Sequence, residues 1–327
     1  MIRRLLPVFP LAAGGVGLFI MARHEASPAR LGLQAAGLLA GLLLSWAISS
    51  LASERLCGAA FLASPIGLGL LGATFAGEGL LGVHRWIRLG PVMLNVSSVA
   101  TPIVVLAASA CFARRRWLAA AALVGATQVV HFLQPDAGQA LALALAGVAA
   151  VLFAPHLPRV ARAVAIAALA ASAVLIWARP DPLPPVADVE GIVGLAGDQG
   201  LLVRLLAIAS VAIIPASSAL AAREAPPGSP RTSAIALAGY VTGVCTAPLA
   251  GNFPVPVLGF GVSPILGVAL CAGAVATLGS MAVSRSAPVG AGDARTNAPE
   301  PTIKSAASTP RTTTKGDLAP GDGGLRS

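Results

Sequence analysis

The sequence is poor in charge. Of its 327 residues only 11% are Asp, Glu, Lys or Arg, against 56% hydrophobic, and the mean hydropathy is +0.82. A water-soluble domain carries roughly 25% charged residues, so most of this chain's surface must meet lipid. Aromatic residues are scarce too, at 4%. Ala, Leu, Gly and Val take their place, and such small residues let helix backbones approach closely within a membrane bundle. No segments of about 10 residues alternate apolar and polar, which excludes an outer-membrane barrel. The four cysteines (Cys57, Cys111, Cys245 and Cys271) are scattered without paired spacing, and read as small core residues rather than disulfides or metal ligands. No small-residue cleavage site convincingly follows MIRRLLPVFPLAAGGVGLFIMA, so the first apolar run reads as an uncleaved span.

What the chain does have is a succession of apolar stretches. A helix needs about 20 such residues to cross a bilayer. Breaking the chain at charges and Pro/Gly clusters predicts ten transmembrane helices, near 4–22, 31–52, 57–76, 97–113, 117–133, 138–155, 160–178, 200–222, 232–250 and 264–283. The fold class is therefore an all-α polytopic membrane protein. Alternate connections carry the basic residues: Arg3 and Arg4, Arg55, Arg114 to Arg116, Arg159, Arg223 and Arg231, then the basic tail. The opposite connections hold Arg23, Arg30, Arg85, Arg88 and Arg179 with nearly all the inter-span carboxylates. The positive-inside rule then places both termini in the cytoplasm. The net charge of +9 follows this distribution and points to membrane orientation, not to nucleic acid. Residues 1–283 form the predicted transmembrane domain. Residues 284–327 turn to Ser, Thr, Pro, Ala and Gly, too few apolar groups to offset chain entropy, and read as a disordered cytoplasmic tail.

Four outward connections carry the polar chemistry. The third, EGLLGVHRWIRLGPVMLNVSS, holds His84, Arg85, Trp86 and Arg88. A Trp beside Arg serves as an interfacial anchor, or the guanidiniums bind phosphate while Trp86 packs on a sugar or isoprenoid. The fifth, HFLQPDAG, breaks its helix at Pro135 and offers Asp136 as a cap for the next one. A carboxylate carried into hydrocarbon costs roughly 2.5–3.5 kcal/mol, so Asp136 either sits at an aqueous edge or has a role that offsets that cost. The seventh, RPDPLPPVADVEGIVGLAGDQG, carries Asp181, Asp188, Glu190 and Asp198. These are either idle solvated acids, a source of a general base, or oxygen ligands for a divalent cation. The ninth, APLAGNFPVPVLGFGVSPIL, has Pro254 and Pro256 against regular helix and Gly259 and Gly261 for close turns. Irregular backbone at membrane depth survives only against protein or a wet cavity, so this Pro/Gly-rich segment between the last two spans is predicted to line one.

Taken together, RWIRLGP at 85–91, LQPDAG at 133–138, PVPVLGFGVSPIL at 254–266 and, more loosely, the loop at 188–201 resemble the shape, elongation, division and sporulation (SEDS) family, the FtsW, RodA and SpoVE group. The resemblance implies ten spans in the bacterial cytoplasmic membrane. It implies a glycosyltransferase that polymerises the lipid-linked precursor lipid II into peptidoglycan strands, in division or cell-shape maintenance, with a class B penicillin-binding protein as partner and a divalent cation (Mg or Mn) as cofactor. The transfer would be inverting, with undecaprenyl diphosphate leaving. It assigns the catalytic carboxylate to Glu190 or Asp188, and substrate binding to Arg85, Trp86, Arg88, Gln134, Asp136, Pro256 and Ser263. The chain departs from the family pattern in two places. Ser98 and Thr101 stand where the family carries Glu and Lys. In the seventh loop, counting back seven from Gly197 lands on Glu190 rather than Asp, and a shifted frame selects Asp188. These departures keep two alternatives open: a catalytically weak or inactive scaffold that recruits the penicillin-binding protein, or a flippase for the lipid-linked precursor.

Overall fold

The structure, a computed structural model, describes residues 2–90, 92–154 and 156–284; residues 285–327, the predicted tail, lie outside it. The helices are α1 (Ile2–Leu5), α2 (Phe9–Arg23), α3 (Pro28–Ser49), α4 (Ser53–Ala73), α5 (Val96–Ala113), α6 (Trp117–Leu133), α7 (Ala137–Leu152), α8 (Arg159–Trp177), α9 (Ile192–Asp198), α10 (Leu201–Arg223), α11 (Ser229–Thr246) and α12 (Val262–Ser284). Every predicted apolar stretch overlaps a long helix, with the ends shifted by a few residues. Among the described residues seven are long and apolar enough to cross a membrane, and α2, α6 and α7 are apolar helices of 15, 17 and 16 residues. The chain is a polytopic membrane protein.

The architecture is not purely helical. β1 (Trp86–Leu89) pairs antiparallel with β2 (Val92–Asn95), in the register Trp86 to Asn95 and Arg88 to Met93. The turn between them begins at Gly90, whose φ of +58° suits glycine. Ile87 points from the hairpin into a small core with Leu71, Val96 and Ala100. The seventh connection also holds an unpredicted helix, α9, beside α2 and α10.

Local chemistry starts the helices that frame the site. Ser27 accepts from the Arg30 amide ahead of Pro28, Asn95 from the Ser98 amide, and Asp136 from the Gln139 amide. Each satisfies an amide that the first turn leaves without a partner. In the centre, α5, α7, α11 and α12 bury small and aliphatic residues against one another, among them Leu106, Leu143, Leu237 and Leu278. The α7–α11 crossing is close because Gly243 has no Cβ; one would lie 2.4 Å from Ala142 Cα. α8 is peripheral, and its only buried residue is Ile176.

The odd-numbered connections share one end of the bundle. His24 reaches Leu195 O, Arg30 reaches Asp188, Arg85 reaches Gln134, Pro135 and Asp181, and Phe260 N reaches Asp188 O. The even connections meet at the other end, where Thr232 bonds Phe153 O. This alternation is that of antiparallel passes.

Candidate functional site

At the end where the odd connections meet lies a cavity of about 430 Å³. One face of the hairpin contributes Trp86, Met93 and Asn95, as the period-two alternation of a strand dictates. The start of α7 contributes Asp136, Gly138 and Gln139, and the seventh connection Asp181, Val186 and Glu190. Tyr240 rises from α11, and Pro256, Phe260 and Ser263 come from the ninth connection and the start of α12. The predicted lining role of that irregular segment is where the structure puts it.

Arg85 ties three connections together. Its side chain is 7% exposed; Nε donates to Gln134 O at 3.1 Å, Nη2 to Pro135 O, and Nη2 to Asp181 Oδ2 at 2.7 Å. Asp136 Oδ2 is 4.0 Å from Nε. A guanidinium so occupied holds the cavity wall first, and offers a phosphate only its remaining edge. Arg88, next outward along the same strand face, is exposed and forms no ion pair among the described residues. It stands outside the cavity lining, on the hairpin's outer part. Gln134 does not face the cavity either. Its side chain is buried, accepting from Ser97 Oγ at 3.1 Å and donating to Thr74 Oγ1 at 2.8 Å. Its carbonyl is one of the groups Arg85 holds. The motif residue is thus a packing group in this fold.

The two candidate carboxylates separate. Asp188 is clasped by Arg30 at 2.7 and 2.9 Å, and it is not among the residues lining the cavity. Glu190 lines it, forms no ion pair among the described residues, and accepts from the Val186 amide at 2.8 Å. Burial pushes the Glu190 carboxyl above its usual range. The Asp181 charge adds to this, while backbone amide donors and the Arg85 charge work against it. A carboxylate with raised proton affinity beside a cavity is suited to general-base work. Asp136 plays two parts: Oδ1 caps α7, and Oδ2, buried with the residue 4% exposed, has no hydrogen-bond partner.

The turn bearing Glu190 rests on the ninth connection. Phe260 N donates to Asp188 O at 2.7 Å and Val255 N to Val189 O at 3.4 Å. The close approach needs Gly259, where a Cβ would sit 2.4 Å from Val189 O. The ninth connection is held in turn by Gln34, fully buried on α3. Its Nε2 donates to Val257 O and Gly259 O, and its Oε1 accepts from Gly261 N. Between them Val257 has a φ of +69°, a left-handed conformation that costs a β-branched residue about 1–3 kcal/mol. Arg30 completes the clasp by lying 4.3 Å over the Phe260 ring.

The cavity floor is polar but neutral. Tyr240 donates to Gln139 Oε1 at 2.8 Å, and Gln139 Nε2 to Ser98 Oγ at 3.4 Å. Ser98 therefore faces the cavity with a hydroxyl. Thr101 hydrogen-bonds the buried His131, which also bonds Gln128. Among the described residues no three His, Cys, Asp or Glu side chains come close enough to ligate one metal ion. A divalent cation held by one or two carboxylates together with substrate phosphates needs no such cluster, and no step of the proposed reaction is routed through one.

Two further hollows accompany the main one. An apolar groove of about 390 Å³ runs between α6, α7 and α8, and a hollow of about 270 Å³ beside Trp177 and Arg179 shares Asp181, Leu183 and Phe253 with the main cavity. Arg30, Gln34, Gln139, Asp181 and Tyr240 were not singled out as site residues from sequence. Of these, only Asp181 gave a signal, as one of the seventh connection's acids; the others lie on helices and depend on tertiary packing.

No family model and no curated protein matches the sequence. Solved structures do share its fold. A chain from a peptidoglycan synthase complex, described for the coordination of polymerization and crosslinking, superposes with a TM-score of 0.69 at 22% identity, over 86% of this chain and 98% of that one. The Thermus thermophilus rod shape-determining protein RodA gives 0.58 at 24% identity, over 84% and 95%. An Asp-to-Ala mutant of the same protein gives 0.58 at 24%, over 84% and 96%. The chain has the RodA fold over nearly the whole length of those chains.

Proposed function

We propose that this chain is a SEDS-type glycosyltransferase that extends peptidoglycan strands from lipid II at the outer face of a bacterial cytoplasmic membrane. The observation that carries the proposal is Glu190, an acid with raised proton affinity, half-buried beside the few polar groups of a largely apolar cavity at one end of a RodA-like bundle. In the reaction, Glu190 takes the proton from a sugar hydroxyl of one substrate. The hydroxyl oxygen bonds the anomeric carbon of the other, and the bond to the diphosphate breaks on the opposite face with inversion. Trp86 offers a flat surface to a sugar ring, and Asp136 Oδ2 and Ser98 offer acceptors for its hydroxyl or amide hydrogens. Asp136 Oδ2, which has an ionic neighbour in Arg85 but no hydrogen-bond donor, supports substrate binding, because a buried acceptor without a donor costs about 1–3 kcal/mol. Pro256 and Ser263 shape the opposite wall, and Ser263 Oγ accepts from the Asn95 amide, joining that wall to the hairpin. A partner that crosslinks the strands, a class B penicillin-binding protein, is part of the proposal.

Purified full-length chain, incubated with labelled lipid II and Mg or Mn, with and without a class B penicillin-binding protein, tests it. Wild type forms glycan polymer. Glu190→Gln lowers the rate by about 10²–10⁴-fold, the size of a general-base contribution. Polymer made equally well by Glu190→Gln overturns the assignment of the base. No polymer from wild type under any of these conditions overturns the enzyme in favour of a scaffold, or of a flippase if vesicles then show lipid II crossing.

A further inference from the structure

We propose that Arg179 binds the phosphate groups of a polyprenyl diphosphate whose hydrocarbon chain lies in the groove between α6, α7 and α8. The inference deepens the proposed function by naming how its lipid-linked substrate is held. The groove is lined by apolar side chains along its length, from Phe112 and Ala165 at one end to Phe132 and Leu175 at the other. From Ala165 to Ile176 along α8 is ~16 Å at the helical rise. Its two polar lining residues are already satisfied, since Gln128 Nε2 donates to Ala140 O and Ser172 Oγ. Nothing there calls for a polar guest; a flexible hydrocarbon fits.

Arg179 stands at the groove's outer end. It follows the last turn of α8, lies 4.7 Å over the Phe132 ring, and donates one guanidinium N–H to Phe132 O. Among the described residues it has no carboxylate partner, and a guanidinium carries five N–H donors. Three other cations of this end are differently placed. Arg85 is taken up by two carbonyls and Asp181, Arg30 is clasped to Asp188, and Arg88 stands out on the hairpin. Arg179 also lines the small hollow that shares Asp181, Leu183 and Phe253 with the main cavity. An apolar trough, a cation with open donors and a cavity that holds Glu190, Asp136 and Gln139 thus follow one another in space. That is the order of parts in a lipid chain, its diphosphate and the attached sugar.

Native mass spectrometry of the full-length chain in detergent, titrated with geranylgeranyl diphosphate, tests the site without reference to turnover. Wild type is expected to bind one molecule. Arg179→Gln weakens binding by at least about tenfold, as loss of a charge-assisted contact should. Arg179→Lys binds more tightly than Arg179→Gln because the charge remains, but less tightly than wild type because the planar fork stacked on Phe132 is lost. Ala168→Trp, on the exposed side of α8 and in the groove lining, blocks binding with Arg179 intact. Equal binding by wild type and Arg179→Gln overturns the inference. So does binding of geranylgeraniol or phosphatidylglycerol as tightly as the diphosphate. A chain that binds the probe through Arg179 yet forms no glycan leaves this site standing and overturns only the enzyme.

Discussion

Gly259→Ala isolates the placement of Glu190 from its chemistry. The added Cβ would lie 2.4 Å from Val189 O, whereas carbon and oxygen atoms in ordinary weak contact stay roughly 3.3–3.6 Å apart. Either the ninth connection or the 186–190 turn must therefore retreat by about 1 Å. The Val255 N to Val189 O bond, already long at 3.4 Å, is the first to break, a loss of about 1 kcal/mol. Stability should fall by little more than that, because Gln34 and the Arg30–Asp188 pair still hold their partners. Activity should fall much further, since a displacement of about 1 Å at reacting groups costs on the order of 10²-fold in rate. Initial rates of glycan formation, set against the melting temperature in the same detergent, measure both. Gly194→Ala, in α9 where a Cβ would meet open space, is the control and should leave both unchanged. Full activity in Gly259→Ala would refute the claim that the ninth connection positions Glu190.

Two further outcomes follow from the charges. The raised proton affinity of Glu190 means its contribution to stability is fully present below the ordinary carboxylate pKa of about 4.3 and lost as pH rises through the folded value. Glu190→Gln should therefore melt above wild type at neutral pH, with the gap closing on acidification; a gap that widens in acid refutes the burial argument. Arg85→Gln leaves Asp181 without its cation and removes the ionic neighbour of Asp136. A loss of about 3–5 kcal/mol, seen as a large drop in melting temperature, should exceed that for Arg88→Gln, which should lie within about 0.5 kcal/mol of wild type.

Hydropathy made the helical part of the fold legible, because a bilayer demands long apolar runs wherever the chain crosses it. The hairpin was less visible. WIRL and VMLN flank Gly90 and Pro91 with a period of two, but eight residues between apolar helices are easily taken for a loop. The connections singled out from sequence are ones the structure brings together, while their side chains' commitments stayed hidden. Arg85 is taken up by carbonyls from residues 134 and 135, and no local pattern shows where a guanidinium's N–H groups go. Glu190 and Asp188 are two positions apart and alike in charge. Only the clasp with Arg30, 158 residues away in sequence, distinguishes them.

The outlying position of α8 bears on how a bulky amphiphile could be handled repeatedly. The acids and the clasp that orients them are anchored on α3, α7 and the ninth connection, while α8 contributes a wall with a single buried side chain. If the chain extends strands as proposed, a bundle assembled this way yields at its lipid-facing flank while its reacting groups hold register, so loading from the bilayer leaves alignment between successive additions undisturbed.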